Sequence, residues 1–217
     1  MFSSLSTSQW GAADVSISIR FGADSIWLFG DTISRVTSWR PFAGRFMHSS
    51  IVTQHDGCLH VSHAGAQVLP NEADGTWYWI KAAAAVGADH LRITADHVEA
   101  TGTGAWAFRV IGERTATAVL DSNGDVTFQS WTGQPVPTQN VVRKDGAYAP
   151  WTQTVSDVAT GRVLVTGLPD TTSNWSYAPS VHSEVHLASG KTLLTVCQNS
   201  ARLSYAGYRP LFFEVTL

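Results

Sequence analysis

The feature of this sequence that most restricts its fold is a series of short β-rich runs that flank turn signals. Runs of Val, Ile, Thr and aromatic residues stand on both sides of turns that contain Gly, Asp or Asn. These turns lie at residues 22–24, 56–57, 122–124, 159–161 and 189–190. Helical periodicity is nearly absent, because the one helix-like run, at 81–91, contains a glycine and leads into the strand-like LRITADHVEA. The pattern predicts an all-β chain built from antiparallel hairpins.

The interval between these hairpins indicates how they are assembled. Their centres recur roughly every 30–40 residues, which is typical of β-propellers and also of β-sandwiches. A propeller blade takes about 40–50 residues, so 217 residues fit five compact blades, or four with insertions. The wholly apolar run at 26–29 suits a strand buried on both faces, as between packed blades. We predict one five-bladed propeller domain over residues 1–217, with a four-bladed propeller as the alternative and residues 210–217 beside the first strands.

Charge and hydropathy exclude two classes of protein. The net charge is −3 and no run of Lys or Arg is present, so the electrostatic footprint of a nucleic-acid-binding protein is missing. No apolar run reaches the roughly 20 residues of a membrane span.

The first ten residues lack the basic and apolar regions of a secretory signal. We expect action outside the cell or on a virion, after loss of a signal or export by another route such as a phage particle, with residence inside the cell as the alternative.

The two cysteines predict neither a disulfide framework nor a metal site. Cys58 and Cys197 each stand in a strand-like run, and their spacing matches no metal-binding motif. We predict that both are free, buried thiols, with a disulfide between them as the alternative.

Two aspartates at the ends of the first predicted hairpin are the candidate catalytic residues. Asp14 and Asp31 are expected near the same end of this hairpin if its strands pair around the turn at 22–24. Alternation along the first strand places Asp14, Ser16 and Ser18 on one polar face, which in a propeller would line the channel. Glycoside hydrolysis needs two carboxyls, one ionised and one protonated. The alternative is structural, with Asp14 capping a strand and Asp31 forming an Asx-turn.

The run HSEVH at 182–186 carries a second group of candidate site residues. On a strand, His182, Glu184 and His186 would share one face. Such a trio is able to bind a metal, although the usual ligand sites draw on more than one strand. We predict no metal site, and two interpretations stay open: a solvated outer strand, or polar contact of His182 and Glu184 with substrate or a carboxylate.

One further histidine and three aromatic residues complete the candidate site. His48 could hydrogen-bond a carboxyl and set its proton, or it could be a satisfied structural histidine. Trp79, Trp151 and Tyr177 could stack on sugar rings, whose C–H faces bury apolar area against an aromatic ring. Nine tryptophans also suit packing between blades, so a place in the core is the alternative for each ring.

Several fragments, taken in order, resemble one family of propellers. They are GAAD, WLFGDT (27–32), RFMHSSIV (45–52), WYWI (77–80), GAWAFRV (104–110), YAPW (148–151), YAPSVHSEV (177–185) and YRPLFFEV (208–215). The family comprises five-bladed propellers of bacteria and phages, formerly a domain of unknown function, and it includes endo-D-arabinanases. More distantly, the chain resembles the propeller glycosidases that act on arabinans and fructans.

The resemblance implies an activity and assigns roles. In the enzymes of this family the aspartates that match Asp14 and Asp31 are catalytic. By that analogy Asp31 would be the nucleophile and Asp14 the acid/base of a retaining mechanism that needs no cofactor. The segment with His182 and Glu184 resembles the family's YAP-x-x-H-x-E stretch, which implies that both residues contact substrate or a carboxylate. His48 resembles a position near the family's active site. The expected activity is hydrolysis of a furanose-rich polysaccharide, with D-arabinan of the actinobacterial cell wall as the first candidate.

Two other functions remain open at this stage. A propeller that binds a glycan without cutting it, such as a phage tail or receptor-binding component, is favoured by the missing signal and by a chain shorter than the family's. A purely structural propeller in a larger assembly is the third hypothesis. The fold alone does not decide among the three, because propellers host many functions. Release of new reducing ends from a polysaccharide distinguishes the hydrolase from the other two.

Overall fold

The chain is built from short antiparallel strands. The computed structural model describes residues 5, 9–34, 45–103, 107–136, 155–156, 160–168, 174–185, 187–200 and 208–217. Within them the strands, in chain order, are β1 (Ala12–Ala13), β2 (Ile17–Phe21), β3 (Asp24–Phe29), β4 (Thr32–Ser34), β5 (Arg45–Met47), β6 (Ser50–His55), β7 (Cys58–Val61), β8 (Trp77–Val86), β9 (His90–Ala100), β10 (Phe108–Leu120), β11 (Val126–Val136), β12 (Val155–Ser156), β13 (Val163–Val165), β14 (Asn174–His182), β15 (Thr192–Ser200) and β16 (Leu211–Val215). A short 3-10 helix, Ser62–Ala64, follows β7. None of these residues forms a helix with the length and apolar character that crossing a bilayer takes. The prediction of an all-β chain is confirmed.

The strands form several antiparallel sheets that follow the chain order. β8, β9, β10 and β11 make a four-stranded meander, and β2, β3, β6 and β7 make a second four-stranded sheet. β14, β15 and β16 form a three-stranded sheet, and β12 pairs with β13. A small sheet in the order β1-β4-β5 is built from the segment before β2 and the segment between β3 and β6. Each larger sheet is thus assembled from hairpins that are neighbours in sequence, as the turn pattern predicts.

Three of the five predicted hairpin turns lie where the sequence places them, whereas residue 159 of the turn at 159–161 lies outside the described residues, and no described strand directly precedes the turn at 189–190 because β14 ends at His182. The turns predicted at 22–24, 56–57 and 122–124 join the paired strands β2–β3, β6–β7 and β10–β11. In the second of these turns Asp56 and Gly57 have φ values of 46° and 79°. Positive φ at both central residues is the requirement of a type I′ hairpin turn, which Asp-Gly satisfies readily. The helix-like run at 81–91 lies in β8 and β9, so its assignment to strands is also confirmed.

β3 is buried on both faces, which explains its wholly apolar sequence. Its last four side chains have no exposed surface: Ile26, Trp27, Leu28 and Phe29. Ile26 and Leu28 pack in one cluster with side chains of β8 and β9. Trp27 and Phe29 pack in a second cluster that contains Trp10. Because β3 contributes side chains to both clusters, it joins them into one core. Burying each of these side chains stabilises the fold by about 1.5–3 kcal/mol.

The sheets pack side by side in a defined order. β2 contacts β8 on one side and β14 on the other, and β13 contacts β16. The sheet β2-β3-β6-β7 therefore lies between the β8–β11 meander and the β14–β16 sheet. The prediction that residues 210–217 lie beside the first strands is wrong, because β16 pairs with β15. The C-terminal segment meets the N-terminal one through Tyr208 and Arg209 instead.

The predicted continuous first strand is wrong. Strand pairing stops at Ala13 and resumes at Ile17 in a different sheet. The break occurs because Val15 adopts a positive φ of 47°, which turns the chain out of an extended conformation. The three polar residues of this segment therefore do not share one strand face.

Two further local predictions need correction. The run at 182–186 is not one strand, because β14 ends at His182 and the Val185 N–H donates to the His182 carbonyl in a turn at 3.1 Å. Strand alternation therefore does not govern these side chains. Both thiols are free, as predicted, and Cys197 is buried, but Cys58 is exposed because it begins the edge strand β7 directly after a turn.

Candidate active site

Asp14 and Asp31 lie opposite each other on neighbouring backbone segments. β1 pairs with β4 up to Ala13 and Thr32. One position further, the Asp14 N–H donates to the Asp31 carbonyl at 3.0 Å, and the Gly30 N–H donates back to the Asp14 carbonyl at 2.9 Å. The structure therefore brings the two aspartates together at one end of the β2–β3 hairpin.

The backbone around Asp14 fits its carboxyl closely. A Cβ atom on residue 30 would lie 2.7 Å from Asp14 Oδ1, so the close approach of this oxygen explains why Gly30 carries no side chain. The next residue, Val15, holds a positive φ, which costs a β-branched residue on the order of 1–3 kcal/mol. Strained backbone of this kind is concentrated at functional sites. The positive φ of Val15 changes the direction of the chain immediately after Asp14.

Two nitrogen donors hold the Asp31 carboxylate. His48 Nδ1 lies 2.9 Å and Trp79 Nε1 2.6 Å from the same oxygen, Asp31 Oδ1. Pairing of β5 with β4 aligns Met47 with Thr32, which places the following histidine beside Asp31. The predicted hydrogen bond from His48 to a carboxyl is present. The Asp31 side chain is 18% exposed, so a ligand can reach it.

Two tyrosine hydroxyls donate to the Asp14 carboxyl. Tyr208 Oη lies 2.8 Å and Tyr177 Oη 3.1 Å from Asp14 Oδ2. Burial of the carboxyl, and next the negative charge of Asp31, raise the pKa of Asp14 to about 7, although the two hydroxyls partly oppose this rise. Because Oδ2 already accepts two hydrogen bonds, the proton on Asp14 resides on Oδ1.

The two carboxyls therefore lie in unlike environments. Asp14 keeps a proton up to about pH 7, whereas Asp31 Oδ1 accepts two N–H hydrogen bonds. Burial and the nearby charge of Asp14 raise the pKa values of Tyr177 and Tyr208, so both hydroxyls stay protonated and donate. Two neighbouring carboxyls in unlike environments form the arrangement from which acid and nucleophile roles arise.

His182 and Glu184 come together around a third residue, Ser18. Ser18 Oγ hydrogen-bonds to both His182 Nδ1 and Glu184 Oε1, and His182 Nε2 lies 2.7 Å from Thr195 Oγ1. His182 is 0% exposed, and burial lowers its pKa to about 4. Since both of its ring nitrogens are occupied inside the protein, the substrate contact predicted for His182 is not supported. Glu184 lines an open surface groove together with Arg20, where a ligand could reach it.

The contact between Ser18 and His182 does not activate a serine nucleophile. In a catalytic triad the second ring nitrogen of the histidine faces a carboxylate, whereas here it faces the Thr195 hydroxyl. An imidazole with a pKa of about 4 is also a weak base at neutral pH. Ser18 lies on β2 and His182 on β14, so this buried contact fastens two neighbouring sheets.

Sequence reasoning missed two residues of the site. Tyr208 donates to Asp14 across a separation of 194 positions, and its only sequence signal is its place in the fragment YRPLFFEV. Trp77 stacks on His48, with ring centroids 4.6 Å apart and an interplanar angle of 19°. Trp151 and His186 lie outside the described residues, so the contact predicted for Trp151 stays a prediction.

Metal ligation and comparison with known proteins add no further assignment. Within the described ranges, no group of three or more His, Cys, Asp or Glu side chains is arranged to hold a metal ion. No family model, curated protein or solved structure matches the chain. The resemblance to the arabinanase-containing family therefore stays a prediction.

Proposed function

We propose that this protein is a glycoside hydrolase that cleaves a furanose-rich polysaccharide, with D-arabinan of the actinobacterial cell wall as the first candidate. The observation that carries the proposal is the opposition of Asp14 and Asp31, one protonated up to about pH 7 and the other held by two N–H donors. Glycosidases require such a pair because the leaving oxygen needs a proton while the anomeric carbon needs a negative group.

We further propose that the sheets are blades of a β-propeller. β2 contacts both β8 and β14, the first strands of the two neighbouring sheets, as strands around a central axis would. The small sheet β1-β4-β5 shares its chain segments with the sheet β2-β3-β6-β7 and therefore counts as an extension of that blade. The described sheets then correspond to four blades, so we propose a propeller of at least four blades.

The proposed reaction is a double displacement. Asp31 Oδ2, which accepts no hydrogen bond from the described residues, attacks the anomeric carbon while the proton on Asp14 Oδ1 passes to the departing glycosidic oxygen. The C–O bond to the leaving group breaks as the ester bond to Asp31 forms. Asp14, now ionised, then takes a proton from water, and the resulting hydroxide displaces Asp31 and restores both carboxyls.

Reducing-end release from arabinogalactan tests the proposal. Wild-type protein is incubated with the polysaccharide beside Asp14→Asn and Asp31→Asn, and the exposed Asp56→Asn serves as the matched control. We expect new reducing ends from wild type and from the control, and a loss of about 10²–10⁴-fold in each site variant. The anomer released first, observed by NMR, is expected to retain the configuration of the substrate.

The same assay identifies the alternatives. Wild-type protein that binds arabinogalactan without releasing reducing ends would be a glycan-binding propeller, as in a phage tail. Activity that survives Asp31→Asn at the control's level would exclude this pair as the catalytic residues.

A further inference from the structure

Among the described residues, five aromatic rings form a continuous row that passes the Asp31 carboxylate. Successive ring centroids along this row are 5.2 Å apart from Phe46 to His48, 4.6 Å to Trp77, 6.0 Å to Trp79 and 4.7 Å to Phe108. Three of these contacts are edge-to-face and one is stacked. The rings come from β5, from the residue after β5, from β8 and from β10, so the row crosses from the small sheet onto the meander. We call these five residues the aromatic row.

The aromatic row is not enclosed in the core. Phe46, at one end, is 54% exposed, and His48 is 20% exposed. Trp77, Trp79 and Phe108 are half-buried, and the two buried clusters that pack against β3 include none of the five. An exposed phenylalanine that continues into partly open rings is more than packing between sheets requires.

The aromatic row and the carboxyl pair form one surface. His48 Nδ1 and Trp79 Nε1, both in the row, donate to Asp31 Oδ1. A group attacked by Asp31 therefore lies against the middle of the row, with rings on either side. A chain of sugars fits this combination, because each sugar presents an apolar C–H face to a ring and hydroxyls to carboxylates and N–H groups. A single file of rings is narrow for a protein partner, since stable protein interfaces bury about 800 Å² on each side.

We propose that the aromatic row is a binding platform for several consecutive units of a neutral furanose polysaccharide, with Phe46 and Phe108 holding the units away from the reacting bond. This inference rests on the proposed function for its choice of polymer. It assigns Phe46 and Phe108 as binding residues, and it means that the affinity of the protein increases with the length of the bound polysaccharide. Short fragments that leave the row partly empty bind more weakly than the polymer.

Affinity electrophoresis in native gels tests the platform independently of catalysis. All proteins carry Asp31→Asn, so that the polysaccharide in the gel stays intact, and the gels contain arabinogalactan, linear arabinan, levan or, as a pyranose control, hydroxyethylcellulose. The variants are Phe46→Ala, Phe108→Ala and Phe46→Trp, with Phe212→Ala as the matched control on β16. Phe212 is 38% exposed, so the control removes a comparable surface ring from another sheet.

The platform predicts a defined pattern of retardation. Phe46→Ala and Phe108→Ala are expected to weaken binding of the best furanose polymer about three- to tenfold, the range for loss of one aromatic contact. Phe46→Trp and Phe212→Ala are expected to bind as the parent does. In the active background the two alanine variants raise KM by the same factor and leave kcat within about twofold, because they act on binding. Thermal melting confirms that each variant is folded.

Failure of this inference and failure of the proposed function give different results. Binding that depends on Phe46 and Phe108, in a protein that releases no reducing ends, supports the platform and overturns the hydrolase. Cleavage with an unchanged KM in both alanine variants supports the hydrolase and overturns the platform. The platform is also overturned if Phe212→Ala weakens binding equally, or if the parent binds none of the furanose polymers.

Discussion

Asp14 is the residue whose environment most affects both chemistry and stability. Its carboxyl loses water on burial and faces the charge of Asp31, and together these raise its pKa from 3.8 to about 7. Between these two pH values the folded protein holds a proton that the unfolded chain releases. The free energy of unfolding therefore falls as pH rises through this range, and above about pH 7 the whole penalty is present. The carboxyl suited to proton donation thus destabilises the fold at neutral pH.

Asp14→Asn is expected to stabilise the protein at pH 8. The amide removes the buried negative charge but keeps an oxygen that accepts from Tyr177 and Tyr208. We expect a gain of about 1–3 kcal/mol in the free energy of unfolding at pH 8 and almost none at pH 4. Urea denaturation at both pH values measures the difference. Asp56→Asn is the control, because this side chain is 90% exposed, and an equal gain there would show that general charge reduction is responsible.

Tyr208→Phe is expected to move the titration of Asp14 upward. The Tyr208 hydroxyl is the first of the groups that lower the pKa of this carboxyl, followed by that of Tyr177. Removing one hydrogen bond to the ionised form should raise the pKa by about one unit. The alkaline limb of the kcat/KM profile moves with it, and carboxyl ¹³C NMR reports the same shift without activity. Tyr177→Phe should give a smaller shift, and a downward shift in either variant would contradict this account.

At the scale of elements, the junction between β3 and β4 sets the geometry of the carboxyl pair. Gly30→Ala would place a Cβ 2.7 Å from Asp14 Oδ1 and 3.3 Å from Val15 Cγ2. The carboxyl or the strand must move, so we expect a loss of about 1–3 kcal/mol in stability and at least about tenfold in kcat. Thermal melting and reducing-end assays measure the two effects.

Gly102→Ala serves as the control for the junction variant. Among the described residues, a Cβ there meets the Ala107 Cβ, at 3.3 Å, and the position is exposed. It should retain activity and most of its stability. If both alanine variants behave alike, the close approach of the Asp14 carboxyl is not what requires glycine at position 30.

Features that depend on short stretches of chain could be predicted from the sequence. The turn at 56–57 is encoded by Asp-Gly, and burial of β3 on both faces by its unbroken apolar run. The approach of Asp14 to Asp31 also follows from a short hairpin, because a tight turn brings its two ends together. The sequence indicated that His48 could hydrogen-bond a carboxyl, but it did not identify Asp31 as the partner.

Features set by tertiary contacts could not be predicted in this way. The positive φ of Val15 breaks an alternating pattern that reads as one strand. Burial of His182 follows from sheet packing, while its neighbours in sequence suggested a solvent-facing group. Tyr208 reaches Asp14 from the other end of the chain, and periodicity carries no information about such distant pairs.

At the scale of the whole molecule, the site depends on contact between distant parts of the chain. Asp14 lies near the N-terminal end of the described chain, and its hydroxyl donors, Tyr177 and Tyr208, come from the C-terminal third. Arg209 Nε adds a hydrogen bond to the Gly11 carbonyl at 2.7 Å. The environment that raises the pKa of Asp14 therefore exists only when the first and last sheets are packed, which couples proton uptake at the site to global folding.

Two buried groups then titrate in opposite senses over one pH range. Burial lowers the pKa of His182 from 6.5 to about 4. Below pH 6.5 the unfolded chain binds a proton that the folded protein does not, so acidification toward pH 4 destabilises the fold. Acidification over the same range relieves the penalty at Asp14. The two effects offset each other, and we expect a shallow dependence of wild-type stability on pH between 4 and 6.5.

Single substitutions should separate these effects. Asp14→Asn leaves the histidine alone, so its free energy of unfolding should fall by about 1–2 kcal/mol from pH 6.5 to pH 4 relative to wild type. His182→Gln lowers stability at every pH through lost packing, but relative to wild type its stability should rise on acidification. Urea denaturation at four pH values measures both slopes, and other carboxyls cancel in the differences between proteins. Parallel profiles in the three proteins would mean that neither buried group has the protonation state derived from its surroundings.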